Sequence, residues 1–430
     1  MREPTIRDVT SFSLFELVNG HFVSKMLSLK LLYNSPLSTL VKGWRKVRKK
    51  EDQVRPASED PSLETDPLKK EYVECIPEAQ TFREVLLQGY LVPSTILEGL
   101  DEMEIREDDV FIITYPKSGT TWTEEIVSLI YKGGDVRKVE RELLVYRVHH
   151  LEVGRPFGHL RFLRKQKSPR LMATHLSLPL IPKKLREAKC KIIYVMRNPK
   201  DTAVSYYHHH KMSTFLGNIS MTWDKFLEHF MAGHVVYGSW FDHVLPYWEF
   251  CKQHPNNVFF LTYEELKMDL RGMVLRLSEF LDRPLTPEAV DAIVHHCTFD
   301  SMKTNKMVNR EVLPISDLFD MTKSKFMRKG IIGDWKNYFT EAQSEAFNRL
   351  CESRMSQSDL QLVFEPGDAE KLFTHFGRII YNHPERIEIE IAQEAEEDDE
   401  PELEYQPRNN PEAFFQLYLQ SDPLTLYAGD

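Results

Sequence analysis

A lysine, a run of hydroxyl side chains and a tryptophan crowd into one turn, Thr114-Tyr115-Pro116-Lys117-Ser118-Gly119-Thr120-Thr121-Trp122. Such residues can hold a phosphate. Lys117 supplies a cation, Ser118, Thr120 and Thr121 supply hydroxyl donors, and Gly119 lets backbone amides approach a ligand. Trp122 offers a flat face for a base. The apolar run Val110-Phe111-Ile112-Ile113 before the turn reads as a strand. After it, Trp122, Ile126, Leu129 and Ile130 share one helical face. Strand, tight turn and helix N-terminus together make an anion cradle. The spacing is not that of a Walker A loop, because Lys117 precedes the single glycine and Pro116 stiffens the entry.

Two further segments carry similar equipment. The apolar run Lys191-Ile192-Ile193-Tyr194-Val195-Met196 ends at Arg197, followed by Asn198-Pro199-Lys200-Asp201. Pro199 suits the first turn of a helix, which places Ser205 two turns in. An arginine at a strand's carboxyl end with that serine can grip a phosphate, since guanidinium binds bidentately and keeps its charge. The third segment is Phe326-Met327-Arg328-Lys329-Gly330, with Gly333-Asp334-Trp335 after it. Read alone it is an ordinary surface turn. Beside the other two it is a loop able to close over an anion.

These segments resemble the cytosolic sulfotransferases. The family's phosphosulfate loop reads Tyr-Pro-Lys-Ser-Gly-Thr-Thr-Trp, its 3′-phosphate motif is similar to Arg197 through Tyr207, and its Arg-Lys-Gly precedes a Gly-Asp-Trp. The resemblance covers roughly residues 71–366. It implies a single P-loop-like α/β domain with a central, mainly parallel sheet flanked by helices. It implies 3′-phosphoadenosine 5′-phosphosulfate (PAPS) as donor, with no metal. Arg197, Ser205, Arg328, Lys329 and Gly330 would bind the 3′-phosphate. Trp122 and Phe299 would wall the adenine, with Tyr263 as a polar contact. Cys297 stands where the family commonly has threonine.

The same resemblance marks His175, in Ala173-Thr174-His175-Leu176, as the base that deprotonates the acceptor. A neutral imidazole near pH 7 suits that task. Lys117 would stabilise the leaving oxygen, and Ser205 is available to engage Lys117 before the acceptor arrives. Three departures stand out. Ala173 replaces a lysine found in many relatives. His150 and His209 occupy the positions at which phenol-sulfating relatives place two phenylalanines, which points to a more polar or larger acceptor. Glu341 replaces the valine of a short dimer motif that here reads Lys336, Thr340, Glu341, Glu345, which argues against dimerisation by that route. The run His208-His209-His210 is a poor metal site, because consecutive helical residues point around the axis.

Composition sets the frame. The chain has 430 residues, 42% of them hydrophobic, and a formal net charge of -10. Bulk charge therefore gives no reason to expect nucleic acid as a partner. The five scattered cysteines fit a reduced, cytoplasmic setting, and no signal peptide or membrane-spanning run is expected. Residues 1–70 read as an N-terminal extension with a linker at 58–62, partly disordered. A basic stretch there reads as a packed helix or solvated arm in preference to a membrane-surface contact. Residues 71–366 form the sulfotransferase-like domain. Residues 367–430 read as a largely disordered acidic tail. The expected activity is sulfuryl transfer to a hydroxyl or amine of a small molecule. The alternatives are a catalytically weak, bisphosphate-binding scaffold and, less favoured by the loop spacing, a nucleoside-triphosphate kinase.

Overall fold

The computed structural model describes residues 53–154, 160–217, 219–312 and 318–368. The expectations for residues 1–52, including the basic cluster, and for the acidic block lie outside the described residues.

A five-stranded parallel sheet forms the centre. Its strands are β4 (Val110–Thr114), β5 (His149–His150), β6 (Leu171–Thr174), β7 (Lys191–Met196) and β8 (Val258–Thr262), ordered β5-β6-β4-β7-β8. All neighbours are parallel. Strand β4 is apolar at every position except its last, and all five of its residues are buried, the pattern of a strand covered on both faces. Alternate residues feed opposite layers. Phe111, Ile113, Ile192, Tyr194, Val258 and Phe260 join one core, while Val110, Ile112, Ile193, Val195, Phe259 and Leu261 join the other.

The helices that bear on the site are α1 (Pro67–Cys75), α2 (Thr120–Ile130), α3 (Pro199–Met212), α4 (Tyr263–Met268), α5 (Phe299–Thr304) and α6 (Glu341–Met355). Pro199 sits in the first turn of α3 under an Asn198 cap. Thr340 and Gln343 form the expected capping box of α6. One boundary differs from expectation. The run 258–263 reads as strand through Tyr263, yet Thr262 caps α4 in a second capping box with Glu265. Tyr263 thus becomes the first residue of a helix.

Chain order places the site. From β4 the chain passes to β5 and β6 on one side and then to β7 and β8 on the other. Open α/β sheets bind ligands at such a reversal, outside the carboxyl ends of the strands. In register, Ile113 lies opposite Thr174 and Thr114 opposite Val195. Lys117, His175 and Arg197 therefore all emerge at one edge.

The amino-terminal boundary also moves. Residues 58–62 are not a linker: they lie within two 3-10 turns, Ala57–Glu59 and Pro61–Glu64. Strand β1 (Arg55–Pro56) pairs with β2 (Ala79–Phe82), which pairs with β3 (Val85–Gln88). Ala57 is fully buried, and Lys69 bridges Asp60 at 2.5 Å. The polar, proline-spaced sequence concealed this because its contacts are to distant strands. Removing residues 1–70 should therefore lower the thermal midpoint by several degrees relative to a chain starting at residue 53, as read by calorimetry, because it also decapitates α1.

Candidate active site

Lys117 and Gly119 take left-handed backbone conformations, at φ 70° and 111°. For a lysine this costs roughly 1–3 kcal/mol, so the fold holds the turn against local preference. Its effect is to curl the loop's amides into a concave nest. Helix α2 begins there with Gly119 at its N-cap and no side-chain cap. By contrast, Asn198, Thr262, Thr298 and Thr340 all cap their helices with side chains. Ser118 Oγ is buried without a hydrogen-bond partner. Thr120 is tied to Thr114, Oγ1 to Oγ1, at 2.7 Å. An uncapped amide cradle with an orphaned hydroxyl fits an anion.

Two clefts meet at this loop, sharing Lys117, Thr120, Thr121 and Phe326. The first, of about 860 Å³, gathers Gly119, Trp122, Arg197, Ser205, Tyr263, Cys297, Phe299, Met327, Arg328, Lys329 and Gly330. Of the residues expected to hold the donor nucleotide, Ser118 alone is not on its wall. The second, of about 970 Å³, is lined by His150, His175, His209, Tyr237 and Arg310 among apolar residues.

The first cleft is built on aromatic and cationic contacts. The Arg197 guanidinium lies 4.3 Å from the Tyr263 ring centroid and donates to the Ile331 carbonyl at 3.0 Å. Its Nε is buried without a partner. Trp122 Nε1 donates to the Cys297 carbonyl at 2.8 Å. Cys297 thus stands in the cleft wall with its side chain also packed in the core, and its backbone orients the tryptophan. Gly330, at φ 65°, lies on Phe299, where a Cβ would come 2.2 Å from the ring. The loop is less free than its sequence implied. Asp334 accepts from both Arg328 and Lys329, and Asp201 accepts from the backbone amides of Gly333 and Trp335 at 2.8 and 2.9 Å. Neither carboxylate was picked out by motif reading, although both lie inside the motifs.

Lys117 has no ion-pair partner among the described residues, and its ammonium lies 4.8 Å from the Phe326 ring centroid. No hydrogen bond joins it to Ser205. Burial, then the charges of Arg310, Arg197 and Arg328, push its pKa down to about 7.

On the other side, His175 Nδ1 lies 3.0 Å from the Thr114 carbonyl. The Thr114 hydroxyl lies equally close, at 3.0 Å, but a carbonyl only accepts, so the bond to it is made with the proton on Nδ1, which leaves Nε2 a lone pair. The backbone is pinned as well: the His175 amide donates to Glu152 at 2.8 Å, and the His175 carbonyl lies 3.0 Å from His243 Nε2. Burial pushes the imidazole pKa down to about 4, which keeps it neutral. The three consecutive histidines diverge. His208 meets Tyr338, His210 meets Tyr72, and His209 faces the second cleft. His150 Nε2 pairs with buried Glu124 at 2.8 Å. Glu124 and Arg310 carry no motif signal.

Residues 107–359 match the family model described as a sulfotransferase domain. The chain belongs to the sulfotransferase family. It is 45% identical to mouse sulfotransferase 1B1 over 267 residues, 61% of this chain and 88% of that relative. Among solved structures it resembles mouse sulfotransferase SULT7A1 complexed with PAP, with a TM-score of 0.55 and 31% identity, covering 68% of this chain and 98% of that one. It also resembles retinol dehydratase in a complex with retinol and PAP, with a TM-score of 0.63 and 25% identity, covering 72% and 98%. Membership makes this an enzyme of the sulfotransferase class, with the parallel-sheet α/β fold that the motifs implied, and the kinase alternative falls away. No helix among the described residues is long and apolar enough to cross a membrane.

Within this family member, Asp201 ties the Arg197 segment to the closing loop. Asp201→Ala should lower the unfolding free energy by roughly 1–3 kcal/mol, read by urea denaturation, with Asp201→Asn recovering part of the loss.

Proposed function

We propose that this protein transfers a sulfuryl group from PAPS to a hydroxyl or amine of a small-molecule acceptor. One observation carries the reading: an anion-holding cleft and an apolar cleft meet at Lys117, with a neutral histidine on the acceptor side. The residues fit the donor. Trp122 and Phe299 offer stacking faces, a contact worth roughly 1–3 kcal/mol per base. Arg197, Ser205, Arg328, Lys329 and the backbone at Gly330 surround a site for the 3′-phosphate. The turn from Lys117 to Thr121 holds the 5′ end.

In the transfer, a bond forms between acceptor oxygen or nitrogen and sulfur while the bond from sulfur to the bridging oxygen breaks. His175 Nε2 takes the acceptor's proton, and Thr114 holds the ring in the tautomer that can do so. The electron pair leaves with the bridging oxygen, where Lys117 meets the developing charge. Ser205 joins them from α3. The clefts hold the two reactants against each other. Lys and Arg supply the charge, so the proposed chemistry needs no metal. The setting we assign is cytoplasmic, with a small-molecule acceptor and no nucleic acid, and Glu341 disfavours dimerisation through the segment from Lys336 to Glu345.

A binding protein that holds the bisphosphate without turnover is the second reading, favoured by Ala173 and by the two histidines in the acceptor cleft. The two separate cleanly. His175→Ala should lower kcat by about 10²–10⁴-fold with bisphosphate affinity intact, measured with labelled PAPS against an acceptor panel. Absence of turnover in the native chain with every acceptor would favour the binding protein.

Lys117 gives a second test. With a pKa of about 7, it is largely neutral at pH 8, and an incoming anion favours its charged form. Binding of adenosine 3′,5′-bisphosphate should take up close to one proton at pH 8 and almost none from Lys117 at pH 6, so affinity weakens as pH rises through 7. Calorimetry in buffers of different ionisation enthalpy reads the uptake, and Lys117→Met should abolish it. No bisphosphate binding at all would overturn the transfer reading.

A further inference from the structure

Arg310 is a cation placed in the wrong company. Its side chain lines the second cleft and not the first. Around it stand Leu91, Val145, Val148, Phe215 and Phe319, a wall suited to an apolar body. Among the described residues Arg310 has no ion pair, and its Nε is buried without a hydrogen-bond partner. Its guanidinium lies 4.9 Å from the Phe326 ring centroid, the same ring that carries Lys117 at 4.8 Å. Two cations on one phenylalanine repel each other, and neither has an ion pair with a carboxylate among the described residues. The carboxylate whose charge reaches Arg310 is that of Glu124, which forms no ion pair with it and is hydrogen-bonded instead to His150 at 2.8 Å.

A half-buried guanidinium with no ion pair is costly to keep. Its backbone is strained too, at φ 65°, a conformation that a non-glycine residue adopts at a cost. Such strain is kept where it positions a group, and five N–H donors in a rigid fork are suited to an oxyanion. Arg310 also brings a cation to the acceptor side of a chain that has Ala173 beside its candidate base.

We infer that the acceptor is an amphipathic molecule bearing, besides the hydroxyl or amine to be sulfated, a carboxylate or equivalent anionic group, and that Arg310 binds this anion inside the apolar cleft. The inference rests on the reading of the two clefts as a sulfuryl-transfer site. It accounts for the pairing of a cation with a hydrophobic wall, which neither a plain phenol nor a plain amine would use. Arg310 is then a specificity-determining residue. The acid should be held by its anion at the guanidinium and by its apolar body along the wall.

The test uses the full chain saturated with adenosine 3′,5′-bisphosphate. Binding of three hydroxy acids of increasing length, 4-hydroxybenzoate, 3-(4-hydroxyphenyl)propionate and 6-hydroxy-2-naphthoate, is compared by calorimetry with that of their methyl esters. At least one acid should bind about tenfold or more tighter than its ester, the scale of a charge-assisted hydrogen bond. Arg310→Gln should erase that advantage and leave ester binding unchanged, while Arg310→Lys should keep part of it. With PAPS, the same acid should show the lower KM. Esters binding as well as acids in all three pairs would overturn the inference, as would equal weakening of acid and ester by Arg310→Gln. Both results leave the transfer reading standing if the bisphosphate still binds. Failure of the native chain to bind the bisphosphate would instead remove the transfer reading, and this inference with it.

Discussion

Positive charge that the protein does not itself neutralise is the constraint on which the rest of this structure depends. In a chain of net charge -10, Lys117, Arg197, Arg310, Arg328 and Lys329 converge at the ends of β4 and β7. Water would normally screen such a group, but at Lys117, Arg197 and Arg310 partial or full burial weakens that screening, and the cations raise one another's electrostatic energy. Lys117 registers this most, since its pKa is lowered by burial and by three of those neighbours. Asp334 relieves Arg328 and Lys329, and Asp201 lies 3.9 Å from Arg197. Neither Lys117 nor Arg310 has an ion pair among the described residues, although the more distant Glu124 charge favours Arg310. A polyanionic ligand does what the chain leaves undone.

Holding such a cluster together requires a frame that cannot relax. The frame is the sheet, whose central strands are buried on both faces and whose carboxyl ends converge at a reversal in strand order. The turn after β4 is strained at Lys117 and uncapped at α2, and both departures point donors at the same space. The second frame is a set of buried carboxylates that hold backbone in place. Glu152 accepts from the His175 amide and from Thr174 Oγ1. Glu264 accepts from the amide and side chain of Asn198, beside Arg197, and burial raises its pKa to about 7. His175 and Arg197 are thus held by the same device, a buried acid gripping the amide of the residue itself or of its neighbour.

Much of this was legible in the sequence, for a physical reason. The glycine at a left-handed turn, the proline opening α3 and the arginine at a strand end are local requirements, so they leave local signals. The core strands 110–114 and 191–196 were likewise legible as apolar runs. What stayed hidden depends on contacts between distant segments. Arg310 has no motif around it, and its meaning comes from the ring of Phe326 and the cleft it shares with His175. Residues 58–62 looked like a linker because what orders them, the Lys69 ammonium reaching Asp60 and Ser62 from α1, leaves no motif in the sequence. Cys297 was assigned by its side chain, whereas its carbonyl is what reaches Trp122. Tyr263 looked like strand until the capping box at Thr262 was visible as geometry.

The polarity of the second cleft is compatible with catalysis. Replacing two aromatic walls by His150 and His209 would weaken a slot that works by flat apolar contact alone. Here the replacements are not left unsatisfied. His150 is bonded to Glu124, and His209 lies 3.4 Å from Ser213 Oγ. Burial, and then the charge of Lys117, holds His209 well below its usual pKa, so it adds polarity without adding a further cation beside Arg310 and Lys117. A decaying site would be expected to shed such partnerships, because a buried polar group without one destabilises the fold. The side chains around His175 instead retain a consistent division: carboxylates bonded to histidines or backbone on the inner side, and two cations without an ion pair among the described residues facing the clefts. That division is what an acceptor with a charged end would require, and a simple hydrophobic slot would have no use for it.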